Sequence, residues 1–405
     1  MQHIVLITTK QPSSNPRLLK EAIVLYNAGF KVTVVYNFWS NWAQLADEAI
    51  FKKYPSINWL NVSPTVSNFY FFKYWYTRVR FKICRILATL FKKCISLQAM
   101  ASTQFYPELK KKATQLQADL YIGHNIGALP AAANAAKKNK TKYAFDAEDF
   151  HRSIDESNIE EGRIAIVLEN KYFNHSAYIS AASFLIAAEY KKHYANKTFI
   201  VINNVLSVTQ QPLFCYLPHS TLRLFWFSQT VGLKRGIQDV IYAINNIQEF
   251  PIQFSILGDA SDLIKSKLHS LLINTKHSIQ FISPCNEDKL ITFAATQHIG
   301  LALEPGFSLN NKIALSNKLF TYLLVGNAVI LSNTPSQLLY YKNYPNTAWC
   351  YTSGNIKELK EIIMQAGNNE ALLTSKRKSA WHIAKTTLNW EMEQQLFLKL
   401  IKEVI

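Results

Sequence analysis

Cysteine is scarce and poorly placed for chemistry: Cys84, Cys94, Cys215, Cys285 and Cys350 make an odd number at wide, irregular spacings, with neither C-x-x-C nor a Cys/His metal pattern. That excludes a disulfide framework and the usual structural zinc sites, and the five read as reduced core residues. Apolar runs near the ~20 residues of a membrane-spanning helix are missing, as is any low-complexity block, so a chain folded end to end is expected. The opening MQHIVLITT reads as a buried strand and lacks the basic, apolar and small-residue regions of a secretory signal, which points to the cytoplasm. There is no D-x-D pair, no G-x-x-x-x-G-K-[ST], no G-x-S-x-G and no full G-x-G-x-x-G. These absences argue against a metal–diphosphate clamp, a P-loop, a hydrolase nucleophile elbow and a standard dinucleotide fingerprint.

Acidic residues are also in short supply. Asp and Glu number 27 against 44 Lys and Arg, a formal charge of +17 that calls for an anionic partner. No acidic residue occurs between Glu48 and Glu108, whereas Lys73, Arg78, Arg80, Lys82, Arg85, Lys92 and Lys93 all do. Rings crowd the same place in FYFFKYWYTRVRF, residues 69–81. Cations mixed with rings suit an apolar–water boundary, so an anionic membrane surface is the partner expected for residues 69–93. The competing reading packs those rings inside the first domain and leaves the charges solvated. No motif that reads DNA or RNA accompanies the charge, so no nucleic-acid partner is expected.

What is present is an alternation of strands and helices. HIVLITT is followed by a polar loop, then Asn15 as a natural helix cap before Pro16, and a helix PRLLKEAIVLYNAG with Leu18, Leu19, Ala22, Ile23, Leu25 and Tyr26 on its apolar face. Gly29 stops it and KVTVVY forms the second strand, a βαβ unit of a parallel sheet. DLYIGHN, KYAFDAE, YISAA and TFIVINN continue the series. After a proline-bearing linker at 206–220 it restarts with LRLFWFS, QFSILGD, IQFIS, HIGLALE and AVILSN. The expected domains are 1–205 and 206–385, both Rossmann-like, with 386–405 a C-terminal helix able to pack back on the first. Tandem domains of this kind bind ligands at the carboxyl ends of their strands, in the cleft between them.

Residues just after those strands carry a resemblance. SLNNKIALSNKLFTYLLVGNAVILSNTPSQ, preceded by HIGLALE and by WFSQTVGLKRGIQDVI, resembles the retaining family-4 type of GT-B glycosyltransferases. SSNPRLLKEAIVLYNAGFKVTVV, GHNIGALPAAANAAKK and FDAEDFH look like the acceptor-side half of the same enzymes. The resemblance implies a GT-B α/β fold of two facing Rossmann-like domains with parallel sheets and an interdomain cleft. It also implies metal-independent transfer, with retention, from a UDP- or GDP-sugar to a glycan or lipid-linked acceptor, as in building cell-surface polysaccharide, with no further cofactor.

By the same resemblance Arg235, beside Lys234, and Lys318 at the start of NKLFTYLL would hold the leaving diphosphate, and His124 would reach the donor sugar. Gly258, in the strand-end turn LGDAS, and Asn317 would lie on the donor side. The sequence departs from the family pattern in two ways. Gln229 stands where an arginine is usual and can hydrogen-bond a phosphate without supplying charge. Ile313 and Thr321 stand where the family has paired glutamates. Glu304 either takes over a sugar-hydroxyl contact or simply ends a strand. On the acceptor side, Asp146, Glu148 and Asp149 could bind hydroxyls or act as a base, with helix capping the other use of Asp149. Ser13, Ser14 and Asn15 could line the acceptor mouth. A nucleotide-sugar epimerase and a degenerate GT-B protein that binds glycan or nucleotide without catalysis are the rival functions.

Overall fold

The computed structural model describes residues 1–38, 41–63, 71–154, 158–218 and 220–405, with only the backbone of Trp42 and Phe71. It divides into two units, Met1–Ile202 with Gln394–Ile405, and Asn203–Glu393.

The first unit is built on seven parallel strands: β1 (His3–Thr8), β2 (Lys31–Tyr36), β3 (Asn58–Asn61), β4 (Leu120–His124), β5 (Lys142–Ala147), β6 (Ile179–Ala181) and β7 (Phe199–Val201). Their order is β3-β2-β1-β4-β5-β6-β7. Strands β1 and β2 are near-continuous Val, Ile and Leu, buried over almost their whole length, as a sheet covered by helices on both faces requires. The second unit has six parallel strands: β8 (Leu222–Thr230), β9 (Ile252–Asp259), β10 (Ser278–Ile282), β11 (Ile299–Ala302), β12 (Ala328–Ser332) and β13 (Ala348–Tyr351). Their order is β10-β9-β8-β11-β12-β13. In each sheet the winding reverses beside the first strand, at β1/β4 and at β8/β11, and such a switch point opens a crevice at the carboxyl ends of the strands.

The helix Pro16–Asn27 starts as its sequence requires, with Pro16 in its first turn and the Asn15 Oδ1 accepting from the Leu18 N–H at 3.1 Å. Gly29, at φ 88°, turns the chain into β2. Its inward face differs from the expected apolar stripe. Leu18, Ala22, Val24 and Leu25 are buried together with Arg17 and Glu21, while Leu19, Ile23 and Tyr26 are only half-buried. Charged residues displace apolar ones there because each finds a buried partner, described below. The last helix, Trp390–Val404, contributes Phe397, Leu400 and Ile401 to buried positions, and its residues from Gln394 onward belong with the first unit. All five cysteines are free, but only Cys84 is buried; Cys94, Cys215 and Cys285 are exposed and Cys350 half-buried, which corrects the expectation of core residues.

Of the basic aromatic stretch, Phe69 and Tyr70 lie outside the described residues; the rest forms the helix Phe71–Leu90 and the turn after it. Among the described residues no helix is long and apolar enough to cross a membrane.

Candidate functional site

In the first unit the carboxyl ends of β1, β4 and β5 meet the helix Pro16–Asn27 in a buried cluster of charge. Register pairs Thr8 with His124 and His124 with Asp146. Arg17 donates from Nε to Asp146 Oδ2 at 2.8 Å and from a terminal nitrogen to Oδ1 at 2.5 Å, with its other terminal nitrogen on the Ile202 carbonyl at 2.5 Å. Ser180 donates to Asp146 Oδ1 at 2.6 Å. His124, with no exposed surface, has its Nε2 3.2 Å from Glu21 Oε2 and its Nδ1 3.4 Å from Asp146 Oδ2 and 3.6 Å from Glu148 Oε1. Neither ring nitrogen makes a well-aligned hydrogen bond, so the ring is held mainly by charge. Next to it Asn125, at φ 71° in the left-handed region that asparagine tolerates, accepts from Thr8 Oγ1 at 3.0 Å and donates to Glu148 Oε2 at 3.1 Å.

Electrostatics follow from that packing. Burial alone would raise Asp146, but the Arg17 guanidinium outweighs it and holds the carboxyl well below the usual range. Burial likewise opposes a charged His124, yet Glu21 first, then Asp146 and Glu148, push it well above its ordinary value. Burial raises Glu21 despite the nearby imidazole. A histidine raised in the folded state stabilises fully below its free value near 6.5 and loses that contribution as pH rises through its folded value. A raised Glu21 tilts the balance the same way. The thermal unfolding temperature should therefore fall more steeply from about pH 6 to about pH 9 in the wild type than in His124→Gln. Parallel curves would show that His124 is neutral in the folded protein.

This placement revises several expectations. Asp146 is fully buried, with both oxygens engaged, and is neither a hydroxyl-binding group nor a base. Glu148 keeps some exposure, its side chain 17% accessible, and is the carboxylate of the cluster that can meet a ligand. His124 lacks the surface that a direct sugar contact requires. The short turn after β5 has Phe150 at its cap position and the next helix has Asn158, so Asp149 stands at neither. In the first loop Ser13 gives its N–H to Asp47 at 2.8 Å and Ser14 its hydroxyl to the Gln11 carbonyl at 2.7 Å, while Asn15 is buried in its cap. Glu21, His124 and Asp146 each offer an atom within 4.8 Å of the others, a spacing a metal ion could use. An ion there would have to displace the Arg17 guanidinium from Asp146, so the donor set fits a fixed cation better than a metal.

In the second unit the polar residues gather at the ends of β8, β9 and β11. Glu304 lies just past β11, its side chain 9% exposed, and accepts from Lys318 Nζ at 2.9 Å and from Asn311 Nδ2 at 3.0 Å. Its N–H donates to Ser332 Oγ at 2.8 Å. Burial would raise the Glu304 carboxyl, but Lys318 brings it below its ordinary value. Glu304 thus neither merely ends the strand nor stands free for a ligand. Lys318 is in the first turn of the helix Asn317–Val325, capped by Ser316, with Nζ 5.7 Å from the ring centre of the buried Trp226. Thr321 is buried and donates to the Asn317 carbonyl at 3.1 Å, and Asn317 Oδ1 accepts from Asn204 at 2.9 Å.

Gln229 is exposed on the last turnout of β8, Lys234 is exposed and Arg235 half-buried before the helix Ile237–Asn245. That helix begins at Gly236, φ 74°, with no side-chain cap, and a Cβ on Gly236 would come within 2.7 Å of Leu303 Cβ. The basic turn Lys234–Arg235 is thereby held against the segment that carries Glu304. At Gly258, φ 153°, a Cβ would meet the Ser228 carbonyl at 2.4 Å, so only glycine lets β9 end against β8 there. The sequence reading missed Arg17, Glu21, Asn125, Ser180, Asn311 and Ser316. Arg17 and Glu21 could have been found as two charges one helical turn apart on a face otherwise apolar.

Neither a protein-family model nor a curated protein matches the sequence. Solved structures do match in fold. HepE from Anabaena, in complex with UDP, superposes with a TM-score of 0.67 at 13% identity, over 100% of both chains. Sucrose-phosphate synthase from Thermosynechococcus elongatus gives 0.71 at 10% identity over 100% of this chain and 99% of that one. A Listeria monocytogenes chain provisionally described as a UDP-N-acetylglucosamine 2-epimerase gives 0.62 at 10% identity, over 99% and 95%. The fold is GT-B: two Rossmann-like units, each on a parallel sheet.

Proposed function

We propose that the chain is a glycosyltransferase that moves a sugar from a nucleoside diphosphate donor to a glycan or lipid-linked acceptor, with retention and without a metal, in the building of cell-surface polysaccharide. The observation that carries this reading is the second unit's carboxyl edge. There a lysine in the first turn of one helix and a Lys–Arg pair before the uncapped start of another flank the β8/β11 switch point. Helix starts and cations together suit a diphosphate that gains charge as it leaves. Lys318 keeps one N–H donor beyond those given to Glu304 and Ser316. Arg235 supplies the second cation, Gln229 and Asn317 hydrogen-bond the donor, and Gly258 lets the chain turn beside it. In the first unit Glu148 faces the acceptor, with His124 and Asn125 fixing its position. An acceptor hydroxyl that attacks from the leaving-group side can pass its proton to the departing diphosphate, so this route needs no carboxylate nucleophile.

The purified protein, given a panel of UDP-, GDP- and dTDP-sugars, should release nucleotide from one of them, and much faster once a lipid-linked acceptor is added. Chelator should leave the rate unchanged. The fold shared with the Listeria monocytogenes chain described as an epimerase makes a nucleotide-sugar epimerase the second reading. Conversion of the donor without any acceptor would establish that reading in place of transfer, and binding without turnover would leave a non-catalytic GT-B protein.

A further inference from the structure

The helix Phe71–Leu90 turns its apolar side outward. On a helix of 3.6 residues per turn, Phe72, Tyr76, Val79, Ile83, Ile86 and Leu90 fall within an arc of about 80°. They are 50% to 85% exposed, whereas Thr77, Cys84 and Ala88, on the opposite side, are buried. An apolar stripe normally faces the core, and one that faces water marks a surface for something else.

The charges around the stripe are unequal in their roles. Arg80 is held by Glu108 at 2.7 Å and Arg85 by Glu160 at 3.1 Å, so these two fasten the helix to its unit. Lys73, Arg78 and Lys82 flank the stripe with the exposed Lys92 and Lys93 just beyond it, and Arg78 lies over the Trp75 ring at 5.4 Å from its centre. The sequence from Phe71 to Lys93 holds no acid. A second copy of this face would bring like charges together, which disfavours self-association, whereas an anionic lipid surface meets both the cations and the rings.

We propose that this helix lies flat in the headgroup region of an anionic bilayer and docks the first unit there, so that the acceptor reaches the enzyme as a membrane-held lipid. The acceptor part rests on the transferase reading above; the docking part does not. The test is co-sedimentation of the full chain with vesicles of phosphatidylcholine alone or mixed with phosphatidylglycerol. Binding should require the anionic lipid and weaken with added salt. Lys82→Ala should weaken partitioning roughly fivefold, the worth of one basic residue near such a surface. Ile83→Asp should abolish it with an unchanged circular dichroism spectrum, because Ile83 is exposed.

Equal binding to both vesicle types, binding to neither, or a solution dimer that Ile83→Asp breaks would overturn docking. Ile83→Asp should also transfer sugar to a water-soluble acceptor at the wild-type rate while losing transfer to a lipid-linked one. If the wild type uses neither acceptor, the transferase reading fails, and co-sedimentation still decides the docking.

Discussion

Lys318→Ala is expected to slow release of nucleotide from the donor sugar roughly 100-fold or more, the scale of losing one transition-state charge partner. Lys318 stands in the first turn of the helix Asn317–Val325, at the positive end of the helix dipole, and the leaving group carries most of its new charge on phosphate oxygens. Glu304 complicates the test, because it sits in a largely buried pair with this lysine. Removing the lysine strands that carboxylate and costs stability as well as catalysis. The two effects separate if thermal unfolding is followed alongside turnover: activity should fall far more than the folded fraction. Arg235→Ala, on a half-buried side chain, should lower turnover on a similar scale with less effect on stability. Unchanged nucleotide release in both variants would remove these residues from the site.

The largest effect on stability is expected from Arg17→Ala. It leaves Asp146 charged and buried with its cation gone, and removal of one partner of such a pair costs about 3–5 kcal/mol. For a unit of this size that corresponds to a loss of about 10 °C or more in unfolding temperature. The depressed Asp146 gives the sign in acid: its contribution is present above the ordinary carboxylate value near 3.8 and is lost as pH falls below it. Wild type should therefore lose stability toward low pH, and Arg17→Ala much less so. Replacing both partners by apolar residues of similar volume, Arg17→Met with Asp146→Leu, should recover most of the loss. A single variant within about 1 kcal/mol of wild type would mean that Asp146 is solvated or neutral.

The fold was legible because parallel sheets leave a plain trace. KVTVVY and AVILS are apolar on both faces, and most strands were placed to within a residue or two. Two were missed for want of that trace: NWLN of β3 is a short, partly exposed edge, and AWCY of β13 has no Val, Ile or Leu. The site was harder. His124, Asp146 and Glu304 do lie at strand ends, as the sequence placed them, but what each does there depends on partners distant in sequence: Arg17 lies far from Asp146, and Lys318 reaches back to Glu304. No spacing rule encodes such pairs. The direction of the helix Phe71–Leu90 was likewise open, since a basic aromatic sequence reads equally as core or surface until the residues tethering it, Glu108 and Glu160, are known.

Both ends of the chain belong to the first unit, and the second is spliced into it between Ile202 and Gln394. Its entry and exit are neighbours, as Asn203 Nδ2 donates to Glu393 Oε1 at 2.6 Å. During synthesis the first unit therefore waits for its final piece: Phe397 and Ile401, which it buries, leave the ribosome only after the whole inserted unit has been made. A nascent chain stalled before Gln394 would hold a finished insert inside an unfinished host. The adjacency of Asn203 and Glu393 also makes residues 203–393 the natural fragment to excise and express on its own.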